Sequence, residues 1–341
     1  MKAALTGKSE RKALDFMEKL AVYREPQRVE GSAGRPVRLS CTASMEDILI
    51  RGLIGISGRT GGARVVATVT RGVVAEAARR HGIAGPAAAI HALGRASTAG
   101  LLLATLSKSP EERVTIQVLG DGPLGSVTVD ADGAGAVRGF VRRPEAGTVQ
   151  TTTGRPSIAR AIGRGVVQVI RDLGIRDQYR GSTTLVSGEI DEDLESYLQT
   201  SEQVESALGC DVIVGRTGVA AAGGLLVQCL PDGDVAVVAE ARRRLRAGAL
   251  HDALAAGAVS AVELARAVLG DVDVDVLAEG PVAFRCGCSR ERVTGALSLC
   301  GEEELRSMID EDGGAEVTCN FCGERYHVGR EELARLVTGI C

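Results

Sequence analysis

A chain of 341 residues, 45% hydrophobic and 25% charged, is long enough for one full-sized core with smaller units attached. Its net charge of −4 gives no electrostatic footprint for nucleic acid or an anionic membrane, while 35 Arg against 5 Lys, 44 Gly and no Trp fit the residue usage of a GC-rich genome. Six of the nine Cys (Cys286, Cys288, Cys300, Cys319, Cys322 and Cys341) fall in the last 61 residues, which points to a metal or redox site and not to a scattered disulfide framework.

Residues 1–44 hold four of the five Lys and a net charge of +4, from nine basic and five acidic side chains. They read as an N-terminal extension, either a targeting or a disordered segment, although Glu10, Asp15, Glu18, Glu25 and Glu30 are more acid than transit peptides carry. Ordered structure is expected from Met45. Residues 45–231 mix short β-rich runs with helical windows. Ala63–Thr70, Val114–Leu119, Ser126–Ala131 and Val137–Val141 are strand candidates by alternation and β-branching. Val73–His81, Ala87–Ser107 and Asp191–Leu208 are helix candidates, the last opening on an acidic first turn. The apolar run Pro86–Leu106 carries His91 and Arg95 near its middle, so it is expected as a buried helix and not a membrane span. Without regular βαβ alternation or repeats, the fold class expected is α+β, with a large mixed N-terminal core domain.

Gly120-Asp121-Gly122-Pro123-Leu124-Gly125 spells a dinucleotide-binding fingerprint, but strand-like runs flank it on both sides and Pro123 has no amide hydrogen. A β-hairpin turn is expected there. No nucleophile elbow or P-loop occurs and the four His have no partnered nucleophile, so no catalytic constellation is read and the chain is not expected to be an enzyme. Residues 232–280 contain 13 Ala and no aromatic residue. Such helices offer little surface to bury, and composition alone favours an ordinary amphipathic helical hairpin covering the core.

Residues 281–341 carry the chemistry. Cys286-Gly287-Cys288 and Cys319-Asn320-Phe321-Cys322 are two short-spaced thiol pairs, the ligand set that one tetrahedral Zn2+ takes. A unit this small, with a thin core, would depend on the ion for its fold, and the four thiolates held at neutral pH are the form that oxidants attack. Cys300 reads as a small buried hydrophobe, with a stray-ligand or mixed-disulfide role as the alternative. His327 lies close in sequence, but four Cys already complete the shell; Cys41, Cys210, Cys229 and Cys341 lack a partner at short spacing. A zinc-ribbon nucleic-acid binder would suit the spacing, but seven Arg against eleven acidic residues in this tail repel phosphate. A thiol-disulfide oxidoreductase using Cys319 and Cys322 would lack its βαβ context.

Phe284-Arg285-Cys286-Gly287-Cys288-Ser289-Arg290-Glu291-Arg292 and the block Asp312 to Tyr326 resemble the two cysteine blocks of the heat-shock protein 33 chaperones, the 33-kDa chaperonins. Arg51-Gly52-Leu53-Ile54-Gly55, the Gly120–Gly125 turn, Ser201-Glu202-Gln203 and Ala222-Gly223-Gly224-Leu225-Leu226-Val227-Gln228 follow that family's order, so that the resemblance runs from Met45 to about Val337. It implies an ATP-independent holdase whose reduced, inactive form holds one Zn2+ on Cys286, Cys288, Cys319 and Cys322. Oxidation would join Cys286 to Cys288 and Cys319 to Cys322, expel the ion, unfold a C-terminal redox-switch domain (281–341) and loosen a metastable helical linker (232–280). The implied partners are unfolding client proteins and a second copy of the chain in the oxidised state, without nucleic acid or membrane. The implied location is cytoplasmic, or an organelle stroma or matrix if residues 1–44 are a transit segment. The chain departs from the family in that 44-residue extension, in Cys300, which stands where an aliphatic residue is expected, and in a linker richer in Ala.

Overall fold

The computed structural model describes Lys2, Ala3 and residues 47–340 except 57–58, 86, 108, 151–153, 175–177, 232, 259, 271 and 273. The expected extension beyond Ala3, the start at Met45, Cys41 and Cys341 therefore lie outside the described residues. The chain divides into two units, one ending at Arg285, the other running from Cys286 onward and taking in the short strand β1 (Lys2–Ala3).

The larger unit is built around helix α2, Ala88–Ala104, every residue of which is buried. On one side lies a six-stranded sheet of β4 (Arg113–Gly120), β5 (Ser126–Asp132), β6 (Ala136–Val141), β7 (Gly165–Asp172), β8 (Gln178–Thr184) and β12 (Ala283–Phe284), in the order β12-β6-β5-β4-β7-β8. On the other lies a five-stranded antiparallel sheet of β2 (Ile48–Ile56), β3 (Arg59–Val69), β9 (Ser206–Gly215), β10 (Gly218–Cys229) and β11 (Val274–Pro281), in the order β11-β2-β3-β10-β9. Leu93, Leu102, Ile116, Val129, Leu208 and Leu226 meet in one core across both sheets. Small residues on α2, among them Ala92, Ala96, Ala99 and Gly100, let the helix lie close to both sheets. Helix α1 (Arg71–Arg80) is capped by Asp47, whose carboxylate accepts from the Gly72 and Val73 amides at 3.1 and 2.6 Å.

The apolar run expected as a buried helix is α2, and Arg95 inside it is 0% exposed. Its guanidinium is paired with Glu189 at 2.6 Å and Asp211 at 2.9 Å and donates to the Pro156 carbonyl at 2.6 Å, which is how the charge is tolerated there. Among the described residues, no helix is long and apolar enough to cross a membrane. The Gly120–Gly125 segment is the β4–β5 hairpin, with Leu119 opposite Ser126. A Cβ on Gly120 would lie 1.9 Å from the Ile162 carbonyl oxygen, so close backbone approach explains that glycine without a phosphate.

Two expectations need correction. Asp191–Leu208 is not one helix: after the short helix α3 (Ala159–Ile162), α4 is Asp191–Thr200, and the chain turns through Gln203, at φ 56, into β9 at Ser206. Pairing of Ser206–Leu208 with β10 outweighs local helix propensity. Residues 232–280 are not helical throughout. They form α5 (Val235–Arg246), α6 (Ala249–Ala255) and α7 (Ala261–Leu269), and then enter β11, which pairs with β2. The three helices cover the outer face of the five-stranded sheet, where Val238, Leu254, Leu264 and Val268 pack on Ile50, Val65 and Val227.

Candidate metal centre

In the smaller unit, Ser289 caps α8 (Arg290–Leu297) by accepting from the Arg292 amide at 3.3 Å, which fixes the chain just after Cys288. The second thiol pair lies on the turn between β13 (Gly314–Thr318) and β14 (Arg325–Gly329), whose pairing closes with Thr318 opposite Arg325. In that turn Cys319 accepts from the Cys322 and Gly323 amides at 3.3 and 2.8 Å, and its own amide donates to the Glu324 carbonyl at 2.8 Å. Gly323 sits at φ 71, in the left-handed region that lets the chain return. Helices α9 (Glu302–Glu311) and α10 (Arg330–Ile340) complete a small core of Val293, Leu297, Leu305, Met308, Val317, Val328 and Leu333.

The sulfurs of Cys286, Cys288, Cys319 and Cys322 all lie within 4.8 Å of one another. Cys286 Sγ is 3.8 Å from Cys319 Sγ, and Cys288 Sγ is 3.3 Å from Cys322 Sγ. A tetrahedron with Zn–S bonds of about 2.3 Å has edges of about 3.8 Å, so the donor set and its spacing fit one four-coordinate ion. Cys319 and Cys322 are buried, and Cys286 and Cys288 are half-buried, giving a closed site. As bare thiols the four are mutually unfavourable when ionised. The hydrogen bond with Cys286, together with burial, pushes Cys319 up to about 11, and hydrogen bonds with Cys286 and Cys319 push Cys322 further up. A divalent cation among them reverses that preference and favours four thiolates.

Every sequence-expected ligand is therefore in one cluster. His327 is exposed and outside it. Cys300 is half-buried beside the small core, its thiol pushed up by burial, and also outside the cluster. Cys210 is fully buried in the larger unit, and Cys229 is half-buried there. One contact escaped the sequence reading: the Tyr326 hydroxyl donates to Cys288 Sγ at 3.1 Å, and this bond raises its pKa above the usual phenol value. The available signal was an aromatic residue four positions past Cys322 in a chain only 2% aromatic.

Comparison with known proteins agrees with this architecture. The family model described as "Hsp33 protein" matches residues 26–329, reaching into the segment read as an extension. The 33 kDa chaperonin of a Nostoc species is 42% identical over 291 residues, covering 84% of this chain and 96% of that protein. That of a Synechocystis species is 42% identical over 289 residues, covering 84% and 95%. The crystal structure of the 33 kDa chaperonin from Thermotoga maritima superposes with a TM-score of 0.77 at 30% identity, covering 87% of this chain and 99% of that one. The chain belongs to the Hsp33 family of chaperones.

Proposed function

We propose that this chaperone is a redox-switched, ATP-independent holdase that binds unfolding proteins and performs no catalysis. The observation that carries the reading is the cluster of four sulfurs, all within 4.8 Å, in a unit whose small core makes added binding energy count. Cys286, Cys288, Cys319 and Cys322 would hold one Zn2+ in the reduced protein. Bound zinc supplies the charge that keeps four thiolates together and roughly 10 to 16 kcal/mol toward the fold. Tyr326 orients the Cys288 sulfur through its hydrogen bond.

Oxidation would then act on this chain's own sulfurs. Two thiolates give two electrons to one hypochlorous acid molecule, forming one S–S bond and releasing chloride and hydroxide; two such steps consume all four thiolates. The disulfides proposed are Cys286–Cys288 and Cys319–Cys322, although the short sulfur contacts run between the pairs. Once the unit opens, partners two or three residues apart stay within reach while the other pairings require closing a long loop. With the unit 281–341 unfolded, the Ala-rich helices of the linker 232–280 would undock and bare the sheet face of Ile50, Val65 and Val227 to clients. The oxidised form would work as a homodimer in the cytoplasm.

The test is to treat reduced, zinc-loaded protein with hypochlorous acid and follow zinc release, far-UV circular dichroism and light scattering of a thermally unfolding client. Zinc release together with suppressed aggregation is expected. Zinc release without suppression at stoichiometric protein refutes the holdase reading.

A further inference from the structure

Strand β11 is the outermost strand of its sheet among the described residues, and it is poorly made for the place. Asp275, Val276, Leu277, Glu279 and Pro281 are exposed, with Leu277 at 62%. The ladder to β2 is broken by an irregularity between Val276 and Ala278, and it ends on Pro281. Little apolar area is buried by such a strand, so backbone hydrogen bonds supply most of its hold.

Beneath it, β2 is well made. Ile50 and Ile54 are each 1% exposed, anchored in the sheet that β3 continues. Gly52 has no side chain to keep a neighbour away: a Cβ there would lie 2.8 Å from the Asp275 carbonyl oxygen and 2.9 Å from Val274 Cγ1. The edge is thus shaped for close approach by any strand, and β11 guards it as edge strands must be guarded. The register Val274–Ile54 through Pro281–Ile48 shows what the seat accepts, namely about eight residues of extended, antiparallel chain.

We propose that the β2 edge is a seat for client polypeptide, which adds to the five-stranded sheet as a strand in place of β11. The inference rests on the holdase reading above and names the form of client that is held: an extended segment recognised through its main chain. Main-chain pairing of this kind is indifferent to sequence, which suits a binder of many unfolding proteins. An apolar residue at the position of Val274 would add contact with the sheet face that the linker helices cover.

Hydrogen exchange followed by mass spectrometry tests this, beside light scattering of the same client. In the oxidised parent, amides within 48–54 should exchange about tenfold faster than in the reduced protein and slow again when client is bound. Reduced, zinc-loaded Asp275→Pro plus Val276→Pro protein should suppress aggregation at least about twofold without oxidant, since one of two adjacent amides faces β2 in an antiparallel ladder. Adding Gly52→Val should remove that gain. If the oxidised parent suppresses aggregation while exchange in 48–54 is unchanged by client, the seat is wrong and the holdase reading stands. The seat is equally wrong if the proline variant exposes 48–54 and holds nothing. Should the oxidised parent suppress nothing, the holdase reading itself fails.

Discussion

His251 Nδ1, on α6, lies 2.7 Å from Oδ2 of Asp211, a β9 carboxylate that is 1% exposed and also faces Arg95 at 2.9 Å and Arg155 at 3.7 Å. Burial alone would raise the Asp211 pKa, but Arg95, Arg155 and His251 more than reverse this and hold it below its usual value. The linker helices are therefore docked through a charge that the core already needs. Arg242 and Arg246 of α5 add pairs with Glu195, each at 3.0 Å.

His251→Ala should release α6 selectively. Loss of one charge-assisted hydrogen bond costs about 1.5 to 3 kcal/mol, whereas Asp211→Ala removes one of two carboxylate partners from the buried Arg95 and the half-buried Arg155 together with the His251 contact, and costs about 3 to 5 kcal/mol. Hydrogen exchange should accelerate within 249–255 in the first variant and throughout the larger unit in the second. Unchanged exchange within 249–255 in His251→Ala would mean that His251 contributes nothing to docking.

Removing a ligand should melt the smaller unit and, with it, loosen the linker helices. Cys322→Ser is expected to lose the ion and the far-UV signal of α8 to α10, leaving α2 and the strands packed on it folded. Cys300→Ser, outside the sulfur cluster, should keep one zinc per chain and lose about 1 kcal/mol or less from the small core. Zinc quantified by atomic absorption decides this: stoichiometric metal in Cys322→Ser would remove that residue from the ligand set.

Disulfide connectivity separates ordered from unfolded oxidation. If the unit opens before the second bond closes, peptide mapping should find Cys286–Cys288 and Cys319–Cys322. Oxidation inside the folded unit would instead trap Cys288–Cys322, whose sulfurs are 3.3 Å apart.

What could be read from the sequence was what depends on local spacing. The two thiol pairs, the buried α2 and the β4–β5 hairpin each carry their reason within a dozen or so residues. Strand β11 was missed because Asp275, Glu279, Gly280 and Pro281 are poor strand formers and its partner lies more than two hundred residues upstream. The overlong helix at Asp191 failed the same way, since pairing with β10 decides Ser206–Leu208. The Arg95, Glu189, Asp211 and His251 network joins four distant stretches of chain, and no window of sequence contains it. Tyr326 was passed over because a sulfur's hydrogen-bond donor has no characteristic spacing.

His91, beside that network on α2, should make the larger unit sensitive to acid. It is 2% exposed and its Nδ1 has no hydrogen-bond partner among the described residues. Burial, with help from Arg95, Arg155 and His251 against Asp211, lowers its pKa from 6.5 to about 4. Between those values the unfolded chain binds a proton that the folded one refuses, so stability falls as pH drops through the window and is unaffected by His91 above it. The full loss is on the order of 3 kcal/mol. Urea unfolding of parent and His91→Gln at pH 7 and pH 4.5 should therefore show a smaller acid-induced drop in the variant, by about 2 to 3 kcal/mol. Identical drops would mean that His91 is protonated without penalty in the folded protein.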